Sequence, residues 1–231
     1  VAVSSALGGV TDLLIQAGAL AALGDESYKT KLQQIEERHF TTIEELLSGK
    51  EGENIRTDIK SMLEELTRLY YGVFLLKELS LRTKDRIMSF GELMSTRIIS
   101  AKLTAMGVEH LWVDSRKVIS TDSTFGMAIV DVEETNRKVR ELLMYDAHRL
   151  YIFPGFISSD SNGETTTLGR GGSDYSASIL AVATDAHSLE IWTDVSGMMT
   201  ADPRMVENPK SIPNISYKEA LELSHFGAKV I

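Results

Sequence analysis

The stretch VAVSSALGGVTD, Val1 to Asp12, reads as a short strand over Val1 to Ser5 that passes through Gly8 and Gly9 into a helix. Paired glycines permit the tight turn between the two. Strand, glycine turn and helix open a βα unit, and the rest of the chain extends that pattern. After Gly107 short apolar runs return at Glu109 to Val113, Arg149 to Phe153 and Ser188 to Trp192. Helical stretches near Val132 to Met144 and Ser176 to Ala183 separate them. Strands alternating with helices predict a mostly parallel sheet covered on both faces. Within it, Ile157 to Leu168 reads as a hairpin whose turn is Asp160 to Gly163.

From about Asp25 to Met106 the periodicity is that of long helices, three in number. Leu32, Ile35, His39, Ile43, Leu46 and Leu47 share one face. After a loop at SGKEGEN (Ser48 to Asn54), a second apolar face runs from Ile55 to Val73. The glutamates opposite, such as Glu36, Glu44 and Glu64, read as solvated surface.

The 231 residues, 43% hydrophobic and 25% charged, suffice for one large domain or two lobes. A net charge of -9 disfavours a nucleic-acid or anionic-membrane partner, since both need a basic footprint. Local cations and backbone N–H groups still permit a small anion. The absence of cysteine excludes disulfides and thiolate metal sites. No apolar run approaches the ~20 residues that span a bilayer, and a cytoplasmic location is expected.

Three segments could carry chemistry. In TTLGRGGSDYSASILA, Thr166 to Ala181, Gly169, Gly171 and Gly172 let backbone approach a ligand, and Arg170 offers a forked cation. Ser173 and Asp174 stand where a helix begins, a natural anion site. The same residues fit a plain glycine turn with Ser173 or Asp174 as N-cap, and both readings stay open. In LEIWTDVSGMMTADPR, Leu189 to Arg204, an apolar strand would deliver Thr193 and Asp194 to its carboxyl end, or simply close in a polar turn. In RIMSFGELMSTRIISAKL, Arg86 to Leu103, Glu92 follows Gly91 near a helix start. It suits a substrate ammonium, or a first-turn acid favoured by the dipole. P-loop, dinucleotide-binding and protein-kinase fingerprints are all missing.

Together, SALGGVTD (Ser5 to Asp12), SFGELMS (Ser89 to Ser95), PGFISS (Pro154 to Ser159), TTLGRGGSDYSA (Thr166 to Ala177), WTDVSGMMTADPR (Trp192 to Arg204) and SYKEALELSHFGAKVI (Ser216 to Ile231) resemble the aspartate kinases of the amino-acid-kinase superfamily. The likeness runs in order along essentially the whole chain. It implies a three-layer α/β/α sandwich with a mostly parallel central sheet and a helical insertion near the N-terminus. Residues 1–231 would form one catalytic domain, with about 25–106 as the insertion of the aspartate-binding lobe and about 170–231 as the nucleotide-binding lobe.

The resemblance implies transfer of the ATP γ-phosphate to the side-chain carboxylate of L-aspartate, with Mg²⁺ on the phosphates, and a homodimer. Arg170 would hold the α-carboxylate and Glu92 the α-ammonium. Thr11, Phe156 and Ser173 would complete that pocket, and Asp174 would organise the cationic groups around the phosphate. Thr193, Asp194, Met199, Arg204 and Lys229 would contact ATP. Met199 stands where many relatives carry an aromatic residue. The acceptor carboxylate, with a pKa of ~3.9, needs no general base. Positioning and charge compensation are then the enzyme's work.

The family's opening Lys-Phe-Gly-Gly-Thr-Ser loop has no counterpart here, and the chain stops at AKVI, before the usual regulatory modules. The expectation is a catalytic domain lacking its first strand and, alone, of little activity. Relatives acting on glutamate, N-acetylglutamate, carbamate or UMP are the nearest alternatives, and a non-catalytic nucleotide or amino-acid sensor is another.

Overall fold

The computed structural model describes residues 1–145, 150–193, 197–202 and 205–225. Two compact units divide at His187 and Ser188. In the first, strand β1 (Ala2–Ser4) leads into α1 (Val10–Ala22), and three long helices follow: α2 (Tyr28–Leu46), α3 (Gly49–Leu76) and α4 (Leu81–Ala105). Then come β2 (Leu111–Trp112), a short 3₁₀ turn (Ser115–Lys117), α5 (Val132–Tyr145), β3 (Tyr151–Pro154), β4 (Ile157–Ser159), β5 (Thr165–Thr167) and α6 (Gly172–Ala183).

β3 lies between β1 and β2, parallel to both, and β4 pairs with β5 in an antiparallel hairpin. The sheet is covered on both faces, as the alternating pattern predicts. Val3, Leu111, Val113, Tyr151 and Phe153 meet Val139, Leu142 and Leu180 from α5 and α6. On the opposite face α4 packs against β3, β2 and β1. There the Trp112 indole donates to Thr96 Oγ1 at 2.9 Å while the Arg97 guanidinium stacks 4.4 Å from its ring. The layers are therefore helix, sheet and helix, with α1 to α3 stacked outside α4.

The helical core holds Ile35, His39 and Ile43 of α2 with Ile55, Ile59, Leu63, Leu66, Tyr70 and Val73 of α3, all buried as their spacing requires. The Tyr70 hydroxyl crosses to α1 and donates to Leu14 O at 2.9 Å. Leu46 leaves the predicted face and is exposed, because α2 ends there and Leu47 turns inward instead. The predicted Ser48 to Asn54 loop is corrected as well. Only Leu47 and Ser48 break the helix, and α3 already runs from Gly49, so two glycines did not prevent two helical turns. The Asp160–Gly163 turn forms as predicted, with Gly163 N donating to Asp160 O at 3.0 Å.

In the second unit, the strand expected at Ser188 to Trp192 does not form. A strand needs a neighbouring backbone to pair with, and this segment runs as coil with Trp192 90% exposed. Met199 bridges Ser211 in antiparallel fashion. Helix α7 (Tyr217–His225) starts on a capping box: Ser216 Oγ accepts from Glu219 N, and Glu219 Oε2 accepts from Ser216 N at 2.8 Å. Among the described residues no helix is long and apolar enough to cross a membrane.

Candidate functional site

A cleft of about 650 Å³ opens in the first unit at the carboxyl ends of β1 and β3, where parallel sheets present ligands. It is lined by Ser5 after β1, the first turns of α1 from Thr11, one face of α4, Gly126, Phe156 after β3, Thr167 of β5 and the loop from Gly169 to Asp174. On α4 the lining residues Leu81, Lys84, Asp85, Met88 and Glu92 recur at helical spacing, so a single stripe of that helix forms the wall.

Glu92 lies in the middle of α4, which corrects the expectation of a helix start and removes the dipole as the reason for its presence. Ser80 caps the helix, accepting from Thr83 N at 3.2 Å, well before Arg86. The Glu92 side chain is 4% exposed. Its Oε1 accepts a long hydrogen bond from Ala6 N at 3.4 Å, and Oε2 is buried with no partner. Burial in this poorly compensated setting pushes its pKa up to about 7. A buried carboxyl with an unused oxygen on a cleft wall has room for a donor or a cation from a ligand. The sequence permits the contact because Gly91 has no side chain: a Cβ there would stand 2.8 Å from the Ala6 Cβ. Ser95 Oγ donates to Ser5 O at 2.7 Å and fixes the same connection to α4.

Opposite stands the glycine loop. Gly169 and Gly171 adopt φ of 78° and 71°, left-handed backbone that suits glycine. Gly171 is the N-cap of α6 and supplies no side-chain cap. The plain reading of Ser173 or Asp174 as N-cap is thus corrected: both lie inside the first turn, where backbone N–H groups have no helical acceptor. α1 begins in the same way on Gly9, with φ of 82° and no side-chain cap, and Thr11 and Asp12 occupy its first turn. Two helix starts without side-chain caps therefore border one cleft, a setting that favours anions.

Close packing fixes the α6 start against the β3 turn. A Cβ on Gly155 would lie 2.7 Å from Ser173 Cβ, and one on Gly172 would lie 2.6 Å from the Phe156 ring. Phe156 takes φ of 66°, rare for an aromatic residue, with its N–H donated to Ser176 Oγ at 2.9 Å.

The structure thus brings Thr11, Glu92, Phe156, Arg170, Ser173 and Asp174 together around one cleft. Thr193 and Met199 belong to the second unit. Asp194, Arg204 and Lys229 lie outside the described residues. Sequence reasoning missed Lys84 and Asp85, which line the same wall eight and seven residues before Glu92. That spacing on a recognised helix was the available signal.

A model of the amino acid kinase family matches residues 1–231. The chain belongs to the amino acid kinase family. Among amino acid kinase relatives, it is 39% identical over 230 residues to lysine-sensitive aspartokinase 3 of Escherichia coli (strain K12), covering 99% of this chain and 50% of that protein. It is 35% identical to the chloroplastic aspartokinase 1 of Arabidopsis thaliana, covering 100% of this chain and 41% of that one. A crystal structure of E. coli aspartokinase III with aspartate and ADP (R-state) superposes with a TM-score of 0.89 at 37% identity, over 98% of this chain and 49% of that chain. The same enzyme with lysine and aspartate (T-state) gives 0.83. The chain spans half or less of the length of these curated relatives.

Proposed function

We propose that this chain carries the amino-acid-binding part of an aspartate kinase, which transfers the ATP γ-phosphate to the side-chain carboxylate of L-aspartate. The observation that carries the reading is Glu92, a buried carboxylate with an unpartnered oxygen in the same cleft as Arg170. An α-amino acid presents an ammonium and a carboxylate on one carbon, and this acid and guanidinium answer both. The names of the relatives, and the aspartate held by the two E. coli structures, support the choice of aspartate.

Glu92 takes the α-ammonium, and Arg170 takes the α-carboxylate through two parallel hydrogen bonds. Thr11, Phe156 and Ser173 close the pocket, leaving the side-chain carboxylate as nucleophile. It is ionised at neutral pH, so no residue is required as base. The uncapped starts of α1 and α6 offset the charge that builds as two anions meet. Asp174, in the first turn of α6, orders the cations near the transferred group. Thr193, Asp194, Met199, Arg204 and Lys229 are the proposed ATP contacts. Mg²⁺ held by the nucleotide phosphates would supply charge compensation when bound. The described residues hold no group of three His, Asp or Glu side chains, and a metal taking most of its ligands from phosphate and water needs none. A cytoplasmic homodimer is the accompanying proposal for the whole protein, to be read by sedimentation and cell fractionation.

The test is a substrate panel of L-aspartate, L-glutamate, N-acetyl-L-glutamate, carbamate and UMP, read by ADP release from the whole protein. L-Aspartate is expected to be preferred. Preference for any other acceptor overturns the reading.

A further inference from the structure

Asp85 is 1% exposed and makes no ion pair among the described residues. Burial of such a group is costly unless hydrogen bonds offset it, and here three do. Oδ2 accepts from Gly126 N at 2.8 Å and from Thr167 N at 3.1 Å, and Oδ1 accepts from Thr167 Oγ1 at 2.8 Å. Ala128 N donates to Thr167 O at 2.9 Å and closes the assembly. One carboxylate on α4 thereby grips β5 and the 126–128 segment together.

The location of those partners gives the grip its meaning. Asp85 precedes Glu92 by seven residues on the same helix, about 10 Å along its axis. Thr167 precedes Arg170 by three residues. Gly126 sets Met127 against Gly169, where a Cβ would come within 3.2 Å of Met127 Cγ. Arg170 itself is exposed and flanked by two glycines in left-handed backbone, so its own loop does little to define its place. The anchor just upstream does. A two-point grip on an amino acid works only if its two ends keep their separation, and an error near 1 Å can cost about 100-fold.

We infer that Asp85 is a positioning residue for the amino-acid clamp: by tying α4 to the strand that feeds the glycine loop, it sets the separation of Arg170 from Glu92. This rests on the reading of the cleft as an α-amino-acid site.

The experiment titrates L-aspartate and succinate, which lacks the α-ammonium, into the wild-type protein and the variants Asp85→Ala, Asp85→Asn and Thr167→Val. Hydrogen exchange over residues 168–172 is followed in parallel. Asp85→Ala should weaken L-aspartate binding tenfold or more, pull the preference over succinate toward unity and speed exchange in the loop. Asp85→Asn should stay within threefold of wild type, because its carbonyl can accept both N–H groups while its amide donates to the Thr167 hydroxyl. Thr167→Val, which loses one bond, should fall between.

Wild-type affinity and exchange in Asp85→Ala overturn the inference. So does Asp85→Asn behaving as badly as alanine, since the charge would then act directly on the ligand. If Asp85→Ala does not fold, a Thr167→Val protein indistinguishable from wild type in both measurements overturns it. A wild-type protein blind to L-aspartate defeats the functional reading instead, and the exchange comparison still decides whether Asp85 holds the loop.

Discussion

Ala6 rests directly on Gly91, so closely that a Cβ on Gly91 would stand 2.8 Å from that of Ala6, and the Ala6 N–H donates to Glu92 Oε1 at 3.4 Å. Overpacking such a contact costs about 1–3 kcal/mol. Gly91→Ala should therefore lower stability by that amount in chemical denaturation. It should also weaken L-aspartate binding, because it pushes the β1–α1 connection off the carboxylate.

Glu92 titrates near 7 in the folded chain against its ordinary 4.5. Between those values the folded state holds a proton that the unfolded state has released, so stability falls as pH rises through this window and stays low above it. The displacement corresponds to a cost on the order of 3 kcal/mol at pH 8. Glu92→Gln removes the charge and should raise the melting temperature at pH 8, with little change at pH 4, while weakening L-aspartate binding to a residual level that still can be titrated. Equal melting shifts at both pH values would contradict the assignment.

The same titration governs the ligand. An ammonium is drawn to ionised Glu92, so L-aspartate affinity should rise with pH through about 7 and level off above it. From pH 6 to pH 8 the gain should approach tenfold by calorimetry. In Glu92→Gln this dependence should vanish.

Arg170 lies on the cleft and is exposed, so its replacement should not disturb the fold. Lysine keeps the charge but cannot make two parallel bonds to a carboxylate. Arg170→Lys should lose about 10- to 100-fold in L-aspartate affinity, as expected for a charge-assisted hydrogen bond, with unchanged melting.

The layered fold, the hairpin and the helical cores were legible because each rests on local periodicity and turn chemistry. The Asp160 turn and the buried stripe from Ile55 to Val73 are examples. The strand expected at Ser188 was not decided locally, since a strand exists only where another backbone pairs with it. Glu92 was recognised by residue type and context but misplaced along its helix. The Ser80 cap, a signal present in the sequence, sets the helix start well before Arg86. Asp85 stayed hidden because its partners stand 41 and 82 residues away. No spacing rule reaches across such separations, and a buried acid in a helix reads from sequence as one more surface charge.

The central claim is that the cleft recognises a free α-amino acid through Glu92 and Arg170, and the most direct measurement is calorimetric titration at pH 8 with L-aspartate and N-acetyl-L-aspartate. Acetylation removes the ammonium and leaves both carboxylates. The account predicts saturable one-to-one binding of L-aspartate and at least a hundredfold weaker binding of the acetylated form, with the difference lost in Glu92→Gln. Equal affinity for the two ligands would contradict it.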